Sequence, residues 1–266
     1  MKRSSLIFIL LCAAMPAALL AQGNSGGDNG NSNSCSSLPN QSALKAALVD
    51  AVNAEHTGFD LNMWATIVDR DGIVCAVAFT GADRGGQWPG SRVISAQKAN
   101  TANAFSLDGL ALSTANLYSA VQPGGSLFGL QESNPVATDV AYKGPSSNYG
   151  GGNDPMVGSK IGGVNVFGGG LGIYSAARKV VGGLGVSGDS SCEDHRVAWR
   201  VRTNLKLDNL PGGGGVTGDN SRPDNMVFDI TVNPDGGTGK SAGGWGHPHC
   251  ITAAKDGDPA TLPVIH

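Results

Sequence analysis

The sequence predicts an α/β domain of the α+β kind, with one central antiparallel sheet flanked by helices. Two pairs of β-rich runs, 63–79 and 164–186, are each joined by a short turn. Hairpins of this sort build antiparallel sheets, because a parallel pair needs a long crossover. Three segments with apolar residues at helical spacing flank those pairs, which calls for helices laid on the sheet. The 266 residues suit one domain with an extension and suffice to bury a proper core.

The elements follow in order. Leu44, Ala47, Leu48, Ala51, Val52 and Ala54 recur at helical spacing after Asn40 or Ser42, either of which can cap the start, and the helix is expected to end near Gly58. Met63–Val68 and Ile73–Phe79 are β-rich and enclose Asp69-Arg70-Asp71-Gly72. The Asp-Gly pair marks a hairpin whose turn asks for positive φ angles that both residues tolerate. Ser91 is expected to cap a second helix carrying Val93, Ile94, Ala96, Lys98, Ala99, Ala102 and Phe105, and its alanines suit close packing on a sheet. From Leu107 to Lys160 the pattern is weak, with one short helix expected at Thr114–Val121. A loop that long has a job or wraps a neighbour. Val164–Tyr174 and Val180–Val186 make the second strand pair, turned at Ser175–Lys179. Ser191 with Asp194 forms a weak capping box for a third helix through Val197, Trp199, Val201 and Leu205. The chain from Pro211 is loop-like again, with one strand expected at Met226–Val232.

The N-terminus reads as a signal peptide. Lys2 and Arg3 precede an apolar run from Leu6 through Ala14, and small residues lead to an expected cleavage after Ala21. Pro16 breaks the run and it falls short of the ~20 residues a spanning helix needs. No later segment is apolar enough to span a membrane, so none is expected after signal removal. The organisation is therefore signal peptide 1–21, flexible leader 22–39, main domain 40–210 and an extension 211–266 packed on it. A periplasmic or secreted location is expected. Net charge is −3 with no Lys/Arg cluster, so nucleic acid is not an expected partner.

Cleavage removes Cys12 and leaves Cys35, Cys75, Cys192 and Cys250 in a compartment where disulfides persist. Three pairings exist. Cys35 with Cys75 and Cys192 with Cys250 are favoured, because each ties a terminal segment to the core, although sequence alone leaves the connectivity open.

Four pieces in one order carry a resemblance: Val68-Asp69-Arg70-Asp71-Gly72, Ser95-Ala96-Gln97-Lys98-Ala99-Asn100-Thr101-Ala102, Gly162-Gly163, and Gly183 to Gly188 followed by Glu193-Asp194. Together they resemble the GlcG/HbpS-like haem-binding family. The resemblance implies a profilin-like fold, assembly into homo-oligomers, and binding of haem or a related tetrapyrrole, with haem degradation or iron handling in some members. It supplies no catalytic residue set. The family's paired glycines are usually followed by a proline near Asn165, and none stands here. Cys192-Glu193-Asp194-His195 together with Trp245-Gly246-His247-Pro248-His249-Cys250 resembles an exported subgroup with an added C-terminal tail.

Haem iron takes an axial His, Met, Cys or Tyr, and its propionates want Arg or Lys. His195 lies one helical turn after Cys192, and His247 and His249 directly precede Cys250. A Cys192–Cys250 disulfide gathers all three, either as a haem or metal edge site or as a stapled tail. The same residues read as a Cys₂His₂ zinc set, which ranks below haem because an oxidising compartment favours the disulfide. His56 is first a surface histidine at a helix end and only then a ligand, while the terminal His266 is expected to be disordered. Lys98 and Thr101, on the best-matching helix, and Arg84, in the loop before it, are candidates for propionate contacts; solvation of the charges and packing of Thr101 are the plainer alternatives. Gly183-Leu184-Gly185-Val186-Ser187-Gly188 fits a dinucleotide fingerprint with Asp208 downstream. It alternates like a strand and no parallel βαβ unit surrounds it, so its glycines are expected to admit close packing or a flat ligand. No G-x-S-x-G elbow supports a hydrolase.

Overall fold

The computed structural model describes residues 35–211, 214–234, 236–237 and 239–266. The expected signal peptide, 1–21, and most of the expected leader, 22–39, lie outside them.

Helix α1 (Gln41–Asn53) starts where Asn40 accepts the Ala43 N–H at 3.0 Å, as an N-cap should. Strands β1 (Trp64–Asp69) and β2 (Val74–Phe79) pair antiparallel. Only Gly72 of the Asp-Gly pair takes a positive φ, +76°. The Asp69 carbonyl accepts the Gly72 N–H and the Asp69 N–H donates to Ile73 O, so the hairpin closes on a three-residue turn with a bulge. Helix α2 (Ser91–Phe105) begins one residue earlier than Ser91 capping would allow: Gly90 holds the cap position and no side chain caps it.

The segment to Lys160 is wrapped on the domain through two 3₁₀ turns (Thr114–Leu117, Ser119–Val121), helices α3 (Leu130–Ser133) and α4 (Thr138–Ala141) and a further 3₁₀ turn. Strands β3 (Gly170–Tyr174) and β4 (Val180–Ser187) complete a four-stranded antiparallel sheet in the order β2-β1-β4-β3. β3 is shorter than the expected Val164–Tyr174. Helix α5 (Ser191–Asn204) is capped by Ser190, whose Oγ accepts the Glu193 N–H, so the expected Ser191/Asp194 box is displaced by one residue.

Alternation along β1 divides the core. Ala65 and Ile67 face α1 and α5, where Leu44, Leu48, Leu171, Leu184, Val197 and Val201 form the main cluster. Trp64 and Val68 face α2, packed with Val93, Ala96, Ala99 and Met156. The glycines of β4 decide how close α2 comes: a Cβ on Gly183 would stand 2.1 Å from Ala99 O, and one on Gly185 1.9 Å from Ser95 O. The G-x-G run is therefore a seat for a helix backbone.

After α5 the chain returns as a C-terminal strap, residues 214–266. The expected strand at Met226–Val232 shrinks to β5 (Ile230–Thr231), paired with β6 (Lys240–Ser241). A short helix α6 (Ala253–Asp256) follows. The strap is anchored along α5 by Arg202 on Asp224 at 2.6 and 2.9 Å, by Trp199 Nε1 on Pro263 O at 2.9 Å, and by Arg196 on Asp258 O and Thr261. Both favoured disulfides are present, Cys35–Cys75 and Cys192–Cys250. Among the described residues no helix is long and apolar enough to cross a membrane.

Candidate functional site

The Cys192–Cys250 bond sits at the first turn of α5 and brings the strap segment His247-Pro248-His249 beside it. The three histidines gathered there differ in what their rings can still do.

His195 is buried, and neither ring nitrogen makes a hydrogen bond among the described residues. Burial first, then the nearby Arg202 charge, pushes its pKa down to about 3, against a small opposing pull from the Asn225 side chain. It is a neutral core imidazole touching only a small void beside Met226 and Leu262. His247 is buried too. Its Nδ1–H donates to Pro248 O at 2.7 Å, which leaves the lone pair on Nε2, where the Gly168 N–H and Ser191 Oγ stand at 3.4 Å. Burial pushes its pKa down to about 4, with the Pro248 bond opposing.

His249 is the exposed member, its side chain 48% accessible. Its Nδ1 meets Asp256 Oδ2 at 2.9 Å, and its ring stacks on Phe228 at 4.2 Å and 12°. Asp256 is itself buried and fixed, accepting the Cys250 and Ile251 N–H groups at 3.0 Å each. A carboxylate on one ring nitrogen fixes the tautomer and makes the other nitrogen a better donor to a metal. Nε2 makes no hydrogen bond among the described residues. Beside the ring lies a cleft of about 580 Å³ lined by Tyr118, Phe228, Ile230, Val232, His247 and Pro248 among others, a size suited to a cofactor. The cleft mixes apolar side chains with polar groups and offers one oriented imidazole that can ligate the iron of a macrocycle, while among the described residues no Arg or Lys lines it for the propionates.

The other expected site residues lie apart from this cleft. Lys98 is buried and spends its charge on Asp194 at 2.6 Å, with Val186 O at 3.2 Å. Burial pushes Lys98 down and Asp194 up, to about 6, while their attraction opposes both. The Gly188 and Asp189 N–H groups on Asp194 favour the ionised pair. Lys98 thus has no exposed ammonium for a propionate, which corrects that expectation. Thr101 is buried as well: its hydroxyl donates to Gln97 O and accepts the Asn165 N–H, tying α2 to the loop before β3. Arg84 lines a different cleft of about 550 Å³ with Trp64, Pro89, Tyr142 and Tyr149. His56 lies past the end of α1, exposed and paired with Asp60 at 3.1 Å. His266 is held, against expectation, on Asp208 at 2.9 Å.

Sequence reasoning missed Asp256, Phe228 and Tyr118. Asp256 follows Cys250 by six residues in a stretch without apolar periodicity, and only the spacing of one acidic residue from a Cys-linked histidine pair marked it.

The protein-family model described as haem degrading protein HbpS-like matches residues 39–202. This chain belongs to the HbpS-like family. The match ends inside α5, so the strap with His247, His249 and Asp256 lies beyond it. No curated protein sequence matches the chain. Among solved structures, a PduOC haem complex is 21% identical over 64% of this chain and 94% of its own, with a TM-score of 0.44. The Klebsiella pneumoniae protein ORFY is 24% identical over 63% and 90%, TM-score 0.43. A double mutant of Streptomyces reticuli HbpS is 16% identical over 73% and 99%, TM-score 0.40.

Proposed function

We propose that this HbpS-like chain is an exported haem-binding protein whose cleft between Tyr118, Phe228 and the strap takes the macrocycle, with His249 Nε2 as axial donor. The observation that carries the reading is the buried Asp256 carboxylate on His249 Nδ1. His266 is also held by a buried carboxylate, Asp208, but of the two only His249 borders the cleft, and its Asp256 is fixed in turn by the Cys250 and Ile251 N–H groups. Tyr118, Phe228, Ile230 and Val232 supply the apolar walls. Export is part of the same proposal, supported by the charged and apolar N-terminal pattern and by two disulfides. The family membership supports haem as the ligand and a homo-oligomer as the working form.

A haemin titration followed by absorbance tests this. The wild-type protein is expected to give a saturable Soret shift that His249→Ala loses and His56→Ala keeps. A shift retained in full by His249→Ala places the iron elsewhere, and no saturable shift in any protein ends the haem reading in favour of a cofactor-free interaction module. The family description favours a second role, breakdown of the bound haem. Loss of the Soret band with release of iron in the presence of a reductant distinguishes breakdown from capture.

A further inference from the structure

The seam between α5 and the strap holds a second donor set that the haem reading leaves unused. Cys192 Sγ, Cys250 Sγ and a ring nitrogen of His247 all lie within 4.8 Å of one another. In the oxidised chain the two sulfurs are bonded to each other, and the metal-binding form of cysteine is the thiolate.

We propose that reduction of Cys192–Cys250 by a dithiol converts this seam into a binding site for a zinc-class divalent cation, held by Cys192 Sγ, Cys250 Sγ and His247 Nε2. The dithiol gives two electrons and two protons to the disulfide and becomes a disulfide itself. The two new thiols release those protons to solvent as the cation binds.

The surroundings are already those of a metal site. Nδ1–H of His247 is held by Pro248 O at 2.7 Å, the backbone contact that aims a ligating imidazole's other nitrogen at a metal. Nε2 faces only two contacts of 3.4 Å, long for hydrogen bonds, so a cation displaces little. The Cys192 N–H donates to Cys250 Sγ at 3.1 Å, with Ser191 Oγ at 3.3 Å, ready to support a thiolate. Cys192 also lies in the first turn of the fourteen-residue α5, where the helix dipole favours a negative sulfur. Donors in a tetrahedral zinc site stand roughly 3.5 Å apart, so small movements suffice. Three protein donors leave the fourth position to water. The same cation would keep His249 and Asp256 in place after reduction, because both sit on the segment that Cys250 anchors.

The test uses no haem, so its failure and that of the haem reading are separable. The chain carrying Cys12→Ser, Cys35→Ser and Cys75→Ser, reduced with a phosphine, is titrated with cobalt(II) and then zinc(II). One equivalent of cobalt is expected to give thiolate charge-transfer and tetrahedral d–d bands that zinc abolishes; the oxidised protein gives neither, and His247→Ala weakens cobalt binding at least about tenfold. No saturable band after reduction, equal bands in the oxidised chain, or an unchanged affinity in His247→Ala each overturn the proposal. Alkylation of the otherwise native, reduced chain covers the case in which the variants misfold: zinc is expected to protect Cys192 and Cys250 together, and equal alkylation with and without zinc overturns the site.

Discussion

The main domain and the strap are held by different forces. In the domain, the sheet and its helices bury an apolar cluster on each face, and α2 meets β4 backbone to backbone over Gly183 and Gly185. The strap instead places single anchors: Leu262 in the main cluster, Met226 beside Cys192, Asp224 under Arg202, and one disulfide. Apolar burial is spread over many side chains, so it tolerates change except where backbones touch. Point anchors concentrate stability in a few polar groups, and each is costly to remove alone.

The sharpest break in the comparison is Gly185→Ala. Its methyl would stand 1.9 Å from Ser95 O and 2.5 Å from Ala99 N, and no rotamer relieves a clash between main chains. A loss of more than about 4 kcal/mol is expected, enough to leave no cooperative unfolding transition. A variant that unfolds cooperatively near the wild-type urea midpoint would show that α2 floats on the sheet instead of seating on it.

The same contrast explains what the sequence disclosed. Strand alternation and helical spacing are repeated signals, so the order of elements and the antiparallel hairpins were legible and Asn40 was one of two caps offered, while boundaries slipped at the α2 and α5 caps and in β3 and β5, both shorter than expected. Ser190 caps α5 in place of Ser191, its Oγ accepting the Glu193 N–H, while Asp194 takes the Lys98 ammonium. That buried pair was invisible: Lys98 and Asp194 are 96 residues apart, and a lysine on a helix reads as solvated until its partner is known. The strap offered no period at all. The Cys192–Cys250 staple was the pairing favoured among three that the sequence left open, and only the fold separates the exposed His249 from the neutral, buried His195 and His247.

Asp224→Ala tests the strap's point anchoring. Arg202 and Asp224 are wholly buried, with a two-pronged contact at 2.6 and 2.9 Å. Removing one partner strands the other's charge, and a loss of about 3 to 4 kcal/mol is expected in urea unfolding, with new proteolytic cleavage inside 214–266. The double variant Arg202→Met/Asp224→Leu is expected to recover most of it, because no charge is left to desolvate. If the double variant is no better than the single one, packing, and not the pairing of charges, holds the strap.

The smallest effect separates the two regions by pH. Glu193, on the domain side of α5, is buried and takes a hydrogen bond from Thr57. Burial first, then the Glu55 and Asp189 charges, pushes it up to about 7 from 4.5. Glu55 goes the other way: although burial raises it, hydrogen bonds from Arg196 and Arg200 hold it below the usual carboxylate range. A carboxyl that holds its proton more tightly when folded contributes stability that is full below about pH 4.5 and lost as pH rises through 7. Glu193→Gln keeps the neutral form, so it should gain on the wild type across that window by at most about 3 kcal/mol. His195 and His247, at the strap seam, have the opposite sign. Their pKa values are lowered to about 3 and about 4, so their share is present above pH 6.5 and lost as pH falls. Urea midpoints of wild type and Glu193→Gln between pH 4 and 8 should therefore diverge on the alkaline limb and run together on the acid one. Parallel curves throughout would mean that Glu193 ionises as freely in the folded chain as in the unfolded one.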